Sequence, residues 1–94
     1  MDFVILVLGD YHVPPHTHPV AEFVTVLSGT FKIGMGEKAD KGEAKALPAG
    51  SFFGFPPGMA HFVYVDEPTV FQINSVGPWV VNYVNPADDP RKVN

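Results

Sequence analysis

Proline and glycine interrupt this chain so often that no long helix fits between them. The 94 residues include ten prolines and nine glycines. No stretch of eleven residues shows apolar side chains recurring at the three- and four-residue intervals of a helix. The segments between the breaks are short and rich in β-branched and aromatic residues, which is typical of strands. The pattern therefore predicts an all-β sandwich or barrel.

Eight short segments are predicted to be strands, and each is bounded by glycine, proline, aspartate or asparagine. They span residues 3–8, 21–27, 30–35, 43–47, 51–55, 61–65, 69–75 and 79–84. The tight turn Ser28-Gly29-Thr30 predicts that the strands before and after it pair as a hairpin.

One predicted strand is largely apolar on both faces. Val24 and Val26 share one face, while Phe23, Thr25 and Leu27 share the other. A strand on an open sheet shows one polar face, so we expect one face to enter the barrel and the other to meet a second layer or a second subunit. A domain of this size buries only about 60–65% of its unfolded surface, and a metal or an oligomer commonly stabilises it. We therefore expect a homodimer.

The charge balance excludes some partners and some chemistries. Six basic against ten acidic residues give a formal net charge of −4, and only Arg91 and Lys92 are adjacent basic residues. Phosphate contacts need clustered Lys and Arg, so no nucleic-acid partner is expected. The chain has no cysteine, which excludes a disulfide framework, a Cys-ligated metal and a thiol nucleophile.

No segment approaches the roughly 20 apolar residues that cross a bilayer, so no membrane partner is expected. The apolar run at residues 3–8 follows Asp2 and is shorter than the core of a signal peptide. The compartment stays open between the cytoplasm and a secreted or periplasmic location with the leader absent from this chain. We expect a soluble protein in which residues 1–94 form one domain, with 85–94 as an extended C-terminal tail.

Three histidines and one glutamate are the candidates for metal binding. His16, His18 and Glu22 lie at even positions, so on an extended chain they can converge on one face, although Pro19 bends the path. His61 follows a Pro-Gly turn later in the chain. Imidazole and carboxylate bind Zn, Fe, Mn, Ni or Cu, and this set leaves positions open for water, dioxygen or substrate.

The spacing of these residues resembles the two sequence motifs of the cupin superfamily. The first motif, G-x5-H-x-H-x3,4-E-x6-G, is matched by Gly9, His16, His18, Glu22 and Gly29, with one extra residue after Gly9. The second motif, G-x5-P-x-G-x2-H-x3-N, is matched by Gly50, Pro56, Gly58 and His61, with Val65 in place of the asparagine. The motifs occupy roughly residues 9–29 and 50–65.

This resemblance implies a cupin-type jelly-roll β-barrel of six to eight strands with one metal ion inside. Carried over residue by residue, it implies that the metal ligands are His16, His18, Glu22 and His61. One divalent transition metal per chain is expected. Three neutral imidazoles with one carboxylate suit a redox metal, so Cu, Fe or Mn is favoured, with Zn or Ni as alternatives.

Four further residues are candidates for the pocket or for contacts behind the ligands. His12 lies four residues before His16 on the same predicted face, where it either holds a ligand or lies exposed without a role. Val63 shares a face with His61. Gln72 and Asn74 form a polar pair that faces either the pocket or the solvent.

Three kinds of function are compatible with this site. The first is an oxidoreductase that activates O2 or H2O2 at the metal. Its substrate would be a small enol, diketone or phenol, or a carbohydrate or polysaccharide oxidised with copper. The second is a non-catalytic sensor or binding protein for a metal or small ligand, and a non-redox enzyme such as a sugar isomerase also remains open. No catalytic side chain beyond the metal centre is identified, since the fold supports many activities.

Overall fold

In residues 2–75 and 80–89, which the computed structural model describes, the chain forms nine antiparallel strands in two sheets. The strands are β1 (Asp2–Val7), β2 (Tyr11–Thr17), β3 (Glu22–Ser28), β4 (Thr30–Met35), β5 (Lys45–Pro48), β6 (Phe52–Phe55), β7 (His61–Val65), β8 (Thr69–Ser75) and β9 (Asn82–Tyr83). Two short 3₁₀ turns lie at Lys41–Glu43 and Pro86–Asp88.

The chain passes repeatedly from one sheet to the other. One sheet has the order β1-β8-β3-β6, and the other has the order β5-β4-β7-β2-β9. Two facing antiparallel sheets with such crossings form a jelly-roll barrel, which confirms the predicted fold class. No helix among the described residues has the length and apolar character needed to span a membrane.

The core lies between the two sheets and is made by alternate residues of each strand. Val24 and Val26 are each 1% exposed, whereas Phe23 on the opposite face of β3 is 39% exposed. The buried residues from both sheets form one cluster: Val7, Val24, Val26, Phe31, Ile33, Phe55, Val63, Val65, Phe71 and Ile73. Burying each such side chain stabilises the fold by about 1.5–3 kcal/mol.

The predicted hairpin around Ser28-Gly29-Thr30 is wrong. β3 pairs with β6 and β8, while β4 pairs with β5 and β7, so this turn carries the chain between sheets. Gly29 has a φ of 81°, and a Cβ there would lie 2.4 Å from the carbonyl oxygen of Pro68. The buried Thr69 hydroxyl fastens the crossing, since it accepts a hydrogen bond from the Thr30 N–H at 3.2 Å.

Strand β2 was not expected, because Pro14 and Pro15 lie within it. The pairing of β2 with β7 shifts register between Val13 and His16, where the two prolines stand. A bulge leaves residues outside the hydrogen-bond ladder, so it accommodates proline in a strand.

The C-terminal segments differ from the expectation in detail. The predicted strand at 79–84 is reduced to Asn82–Tyr83, and Trp79 lies outside the described residues. The expected extended tail begins with a 3₁₀ turn, where the Asn85 side chain accepts from the Ala87 N–H at 3.0 Å. Residues 90–94 lie outside the described part, and the single-domain assignment stays a prediction.

Candidate metal centre

Three histidine side chains and one carboxylate meet between the two sheets. His16 comes from β2, His18 from the segment just after it, Glu22 from the start of β3 and His61 from the start of β7. All four are buried, with exposures between 1% and 5%. The ring centroids of the histidines lie 4.2 to 5.1 Å apart. One ligand atom from each histidine lies within 4.8 Å of the others.

Strand pairing and two turns bring these residues together. His16 and His61 are direct partners in the β2–β7 ladder. The chain after β2 turns through Pro19 and enters the opposite sheet at Glu22. The Gly58 N–H, in the turn that precedes His61, donates to the His18 carbonyl oxygen at 2.8 Å. The two sequence segments are thereby joined at the site.

A backbone carbonyl oxygen lies within hydrogen-bond distance of the Nδ1 atom of each histidine. The Nδ1-to-oxygen distances are 2.7 Å from His16 to Pro14, 2.7 Å from His18 to Val80 and 3.0 Å from His61 to Met59. A carbonyl only accepts, so each Nδ1 carries the proton and donates it. On a neutral ring the Nε2 lone pair is then free to bind a metal.

Burial keeps two of these rings neutral. Burial, and after it the charge of a protonated His61, lower the pKa of His16 from 6.5 to about 4. Burial also lowers the pKa of His61. Both imidazoles therefore stay unprotonated near pH 7, which is the form that binds metal ions.

Glu22 lies against His18, with Oε2 2.6 Å from Nε2. A cation bound at the Nε2 atom of His18 would have this carboxylate within reach. Three imidazole nitrogens beside one carboxylate form a donor set whose chemistry fits a divalent transition metal.

A cavity of about 240 Å³ extends from this cluster between the sheets. His16, Glu22 and His61 form part of its wall, and Val63 lines it as expected. The remaining wall is mostly apolar and comes from both sheets. Its apolar members include Ile5, Val13, Phe31, Ile33, Phe71 and Ile73.

Gln72 and Asn74, two of the predicted pocket candidates, do not line the cavity. Both alternate along β8 with Phe71 and Ile73, which are buried and line the cavity wall. The polar pair is therefore half-exposed on the outer face of the four-stranded sheet.

His12 is also placed away from the cluster. It is exposed on the outer face of the five-stranded sheet, where its ring stacks on Tyr64 at 6.0 Å. The expectation that His12 and His16 share a face fails because the bulge between Val13 and His16 reverses the alternation. Val13 shares the inner face with His16 instead.

The sequence reasoning missed several residues of the site. Tyr11 and Tyr83 line the cavity, and Tyr83 lies opposite His16 in the β2–β9 ladder. Recognising β2 as a strand would have placed Tyr11 and Val13 on one face by their two-residue spacing. The carbonyl groups that hold the histidines leave no signal in the sequence, because every residue has one.

Comparison with known proteins assigns the family. Residues 3–76 match the family model described as a cupin domain. The germin-like protein 5-1 of Oryza sativa subsp. japonica is 50% identical over 50 residues, which cover 52% of this chain and 23% of that protein. The chain thus spans about a quarter of the length of this relative.

Two solved structures extend the comparison to the fold. Bacillus subtilis oxalate decarboxylase, a protein with Mn(II) centres, shares 25% identity at a TM-score of 0.68, covering 88% of this chain and 23% of that one. A putative sugar phosphate isomerase from Acidithiobacillus ferrooxidans shares 26% identity at a TM-score of 0.66, covering 87% and 54%. With its family match, its two facing sheets and its two histidine motifs, this chain belongs to the cupin family.

Proposed function

We propose that this protein is a metal-dependent oxidoreductase that activates O2 or H2O2 at one metal ion held by His16, His18, Glu22 and His61. The observation that carries the proposal is the set of three buried imidazoles, each positioned to donate its Nδ1–H to a carbonyl oxygen. This set suits Fe(II), Mn(II) or Cu(II), with Zn or Ni as alternatives. The Mn(II) centres of the related oxalate decarboxylase support a redox metal.

The chain's own residues prepare this site in three ways. The carbonyl oxygens of Pro14, Val80 and Met59 fix the orientation of the imidazoles. The carboxylate of Glu22, next to the Nε2 atom of His18, supplies a negative charge that favours a bound cation. The apolar cavity wall keeps water away from the reacting groups. When bound, the metal ion would supply electron transfer to dioxygen or peroxide.

The enclosed position of the site favours a small substrate over a polymer. The ligands are buried between two sheets, and the space beside them is a cavity of about 240 Å³. A small enol, diketone or phenol fits such a space. Oxidative attack on a polysaccharide requires a metal at an open surface, so it is the weaker form of the proposal.

A second candidate is a non-redox enzyme that uses the same ligands. The 26% identity to a putative sugar phosphate isomerase supports this alternative. The two candidates differ in the metal they need, because an isomerase works with a metal that does not change its oxidation state.

The decisive experiment measures metal content and oxidant consumption together. The protein is purified without chelator, its metals are quantified, and its EPR spectrum is recorded. It is then loaded separately with Fe(II), Mn(II), Cu(II) and Zn(II), and O2 or H2O2 consumption is followed with small enols and phenols. Stoichiometric Cu, Fe or Mn with substrate-dependent consumption supports the proposal. Failure of every loaded form to consume either oxidant contradicts it.

Two variants test the ligand set itself. His61→Ala removes one imidazole and is expected to abolish both metal loading and the thermal stabilisation that metal provides. His12→Ala is the matched control, because His12 is exposed on the other side of the barrel wall. Equal metal affinity in His61→Ala and the parent would rule out His61 as a ligand.

We also propose that the protein forms a homodimer through the outer face of its four-stranded sheet. Five apolar side chains on this face are 39% to 66% exposed: Val4, Leu6, Phe23, Leu27 and Phe52. The outward residues Thr25, Gln72 and Asn74 on the same face are uncharged. A largely apolar face that runs across four strands fits a second copy related by two-fold symmetry.

The area of this face is compatible with a stable dimer. Since a buried aromatic residue contributes about 150–250 Å², the exposed parts of these five side chains add up to roughly 500 Å². The neighbouring polar residues bring this toward the ~800 Å² per partner of a standard interface. Sedimentation analysis is expected to show a dimer. Phe52→Lys should dissociate it, whereas Tyr64→Lys on the opposite sheet should not. A monomeric parent would contradict the dimer.

A further inference from the structure

We infer that the cavity beside the metal centre selects a compact, uncharged ligand with a single polar end, about the size of one substituted aromatic ring. Sugars, and dicarboxylates whose two charges are separated by several carbon atoms, are excluded. The inference rests on the proposed function and names the substrate class of the same site.

The volume of the cavity sets the size of the ligand. An engineered apolar cavity of about 150 Å³ binds benzene. The cavity here measures about 240 Å³, which leaves room for one ring and a few substituent atoms. A ligand of two or more separate rings exceeds this space.

Strand register places the imidazole and carboxylate groups at one end of the cavity and mostly apolar side chains along its length. In β7, Val63 and then Val65 follow His61 on the inner face, and their partner strand β4 presents Ile33 and then Phe31. At about 3.3 Å per residue, these pairs lie roughly 7 and 13 Å from the level of His61.

The opposite sheet shows the same change from polar to apolar side chains along the cavity. Glu22 pairs with Ser75 at one end of β8, and Ile73 and then Phe71 follow on the inner face. A ligand that fills the cavity therefore directs one end to the histidines and surrounds its body with Phe, Ile and Val side chains.

The charges around the cavity disfavour an anion with two carboxylates. Among residues 2–75 and 80–89, none of the lining side chains is Lys or Arg, and Glu22 contributes a negative charge. If one carboxylate of an anion such as adipate approached the metal centre, the carbon chain would place the second carboxylate among apolar side chains without a partner. A buried charge without a partner opposes binding.

The wall also disfavours a sugar. A sugar carries a hydroxyl on nearly every carbon atom, and each hydroxyl that loses water needs a new partner. The lining polar groups are His16, His61, Glu22 and Tyr83 at one end, and Tyr11, which pairs with Val65, toward the other end. A ring with one phenolic or enolic oxygen places that oxygen at the histidines and buries the rest.

Binding measurements test the inference without relying on turnover. The dissociation constants of 4-methylphenol, adipate and glucose are measured by calorimetry on chelator-treated, metal-free protein and on Zn-loaded protein. We expect 4-methylphenol to bind both forms at least about tenfold more tightly than adipate or glucose. Binding of adipate or glucose that is as tight as that of 4-methylphenol, or tighter, overturns the inference. Binding of 4-methylphenol to the metal-free form can be measured even if no metal ion supports oxidation. The inferred ligand class and the proposed oxidoreductase activity can therefore fail independently.

Adjacent residues of β7 provide a matched pair of variants. Val63→Phe fills the cavity and is expected to weaken 4-methylphenol binding by at least about tenfold. Tyr64→Phe changes the neighbouring residue on the outer face and should leave binding unchanged. Because Val63 also belongs to the core, Phe71→Ala serves as the opposite change. It enlarges the cavity and should shift the preference toward 2-naphthol. An unchanged preference between the two phenols in Phe71→Ala overturns the inference.

Discussion

The phenyl ring of Phe55 lies face to face with the imidazole of His61, with ring centroids 4.1 Å apart and planes inclined by 11°. Both side chains are buried, and Phe53 packs against Phe55 with centroids 5.2 Å apart. The imidazole of His61 is therefore held by a ring on its face and by the Met59 carbonyl at its Nδ1 atom.

Phe55→Leu is expected to weaken metal binding while the fold persists. The substitution keeps an apolar side chain of similar size but removes the stacked ring, and such ring pairs contribute about 0.5–1.5 kcal/mol. This corresponds to a roughly two- to tenfold loss of affinity. Competition with a chromogenic chelator measures it. Phe52→Leu, on the same strand but exposed, is the control, and equal losses in the two variants would contradict a positioning role.

Glu22→Gln is expected to weaken metal binding more than Phe55→Leu does. It preserves the shape of the side chain but removes the negative charge beside His18. Changes behind the ligands typically cost 10–100-fold in affinity, so the loss of a ligand carboxylate should reach at least about 100-fold. Glu67→Gln alters an exposed carboxylate and should have no effect. Unaltered metal content and EPR spectrum in Glu22→Gln would show that Glu22 is not a ligand.

Gly29→Ala is expected to destabilise the fold far more than Gly36→Ala. Both glycines have positive φ, at 81° and 119°, so both alanines carry backbone strain. A Cβ at Gly29 would also meet the Pro68 carbonyl oxygen at 2.4 Å, while at Gly36 nothing lies within 4 Å. The difference in free energy of unfolding between the variants isolates the clash and should exceed about 1 kcal/mol. Equal stabilities would mean that the crossing between sheets relaxes freely.

The cluster of three histidines and Glu22 was predictable from sequence because its residues lie in short, closely spaced motifs. His16, His18 and Glu22 fall within seven residues, and His61 follows a Pro-Gly turn. All four come together in the structure. The position of Val24 and Val26 on one face of β3 was equally predictable, because side chains two residues apart in a strand point to the same side.

Pairing between distant segments was not predictable in the same way. The Ser28-Gly29-Thr30 turn has the composition of a hairpin, but its Gly29 packs against Pro68, about forty residues away in sequence. The bulge at Pro14 and Pro15 likewise hides a strand and places His12 on the outer face. The local sequence does not indicate the Gly29–Pro68 contact or the bulged pairing of β2, because each depends on a distant partner strand.

The metal-free protein is expected to lose stability as the pH falls from about 6.5 to about 4. The pKa of His16 is about 4 in the folded protein against 6.5 as its ordinary value, mainly because of burial. Between these two values the unfolded chain binds a proton that the folded protein excludes, so acidification favours unfolding. Neutral His16 contributes its full share of the stability above pH 6.5, and this share is lost below about pH 4. A difference of this size corresponds to about 3 kcal/mol.

Urea unfolding of the chelator-treated, metal-free protein, at pH values between about 4 and 7.5, measures how stability depends on pH. His18 and His61 face His16 and oppose its protonation, whereas Glu22 and the Pro14 carbonyl favour it. His61 adds to the same slope, because burial lowers its pKa as well. His16→Gln should therefore flatten the profile in part, and His12→Gln, at an exposed position, should leave it unchanged. A parent profile that is flat across this range would mean that protonated His16 is accommodated in the fold.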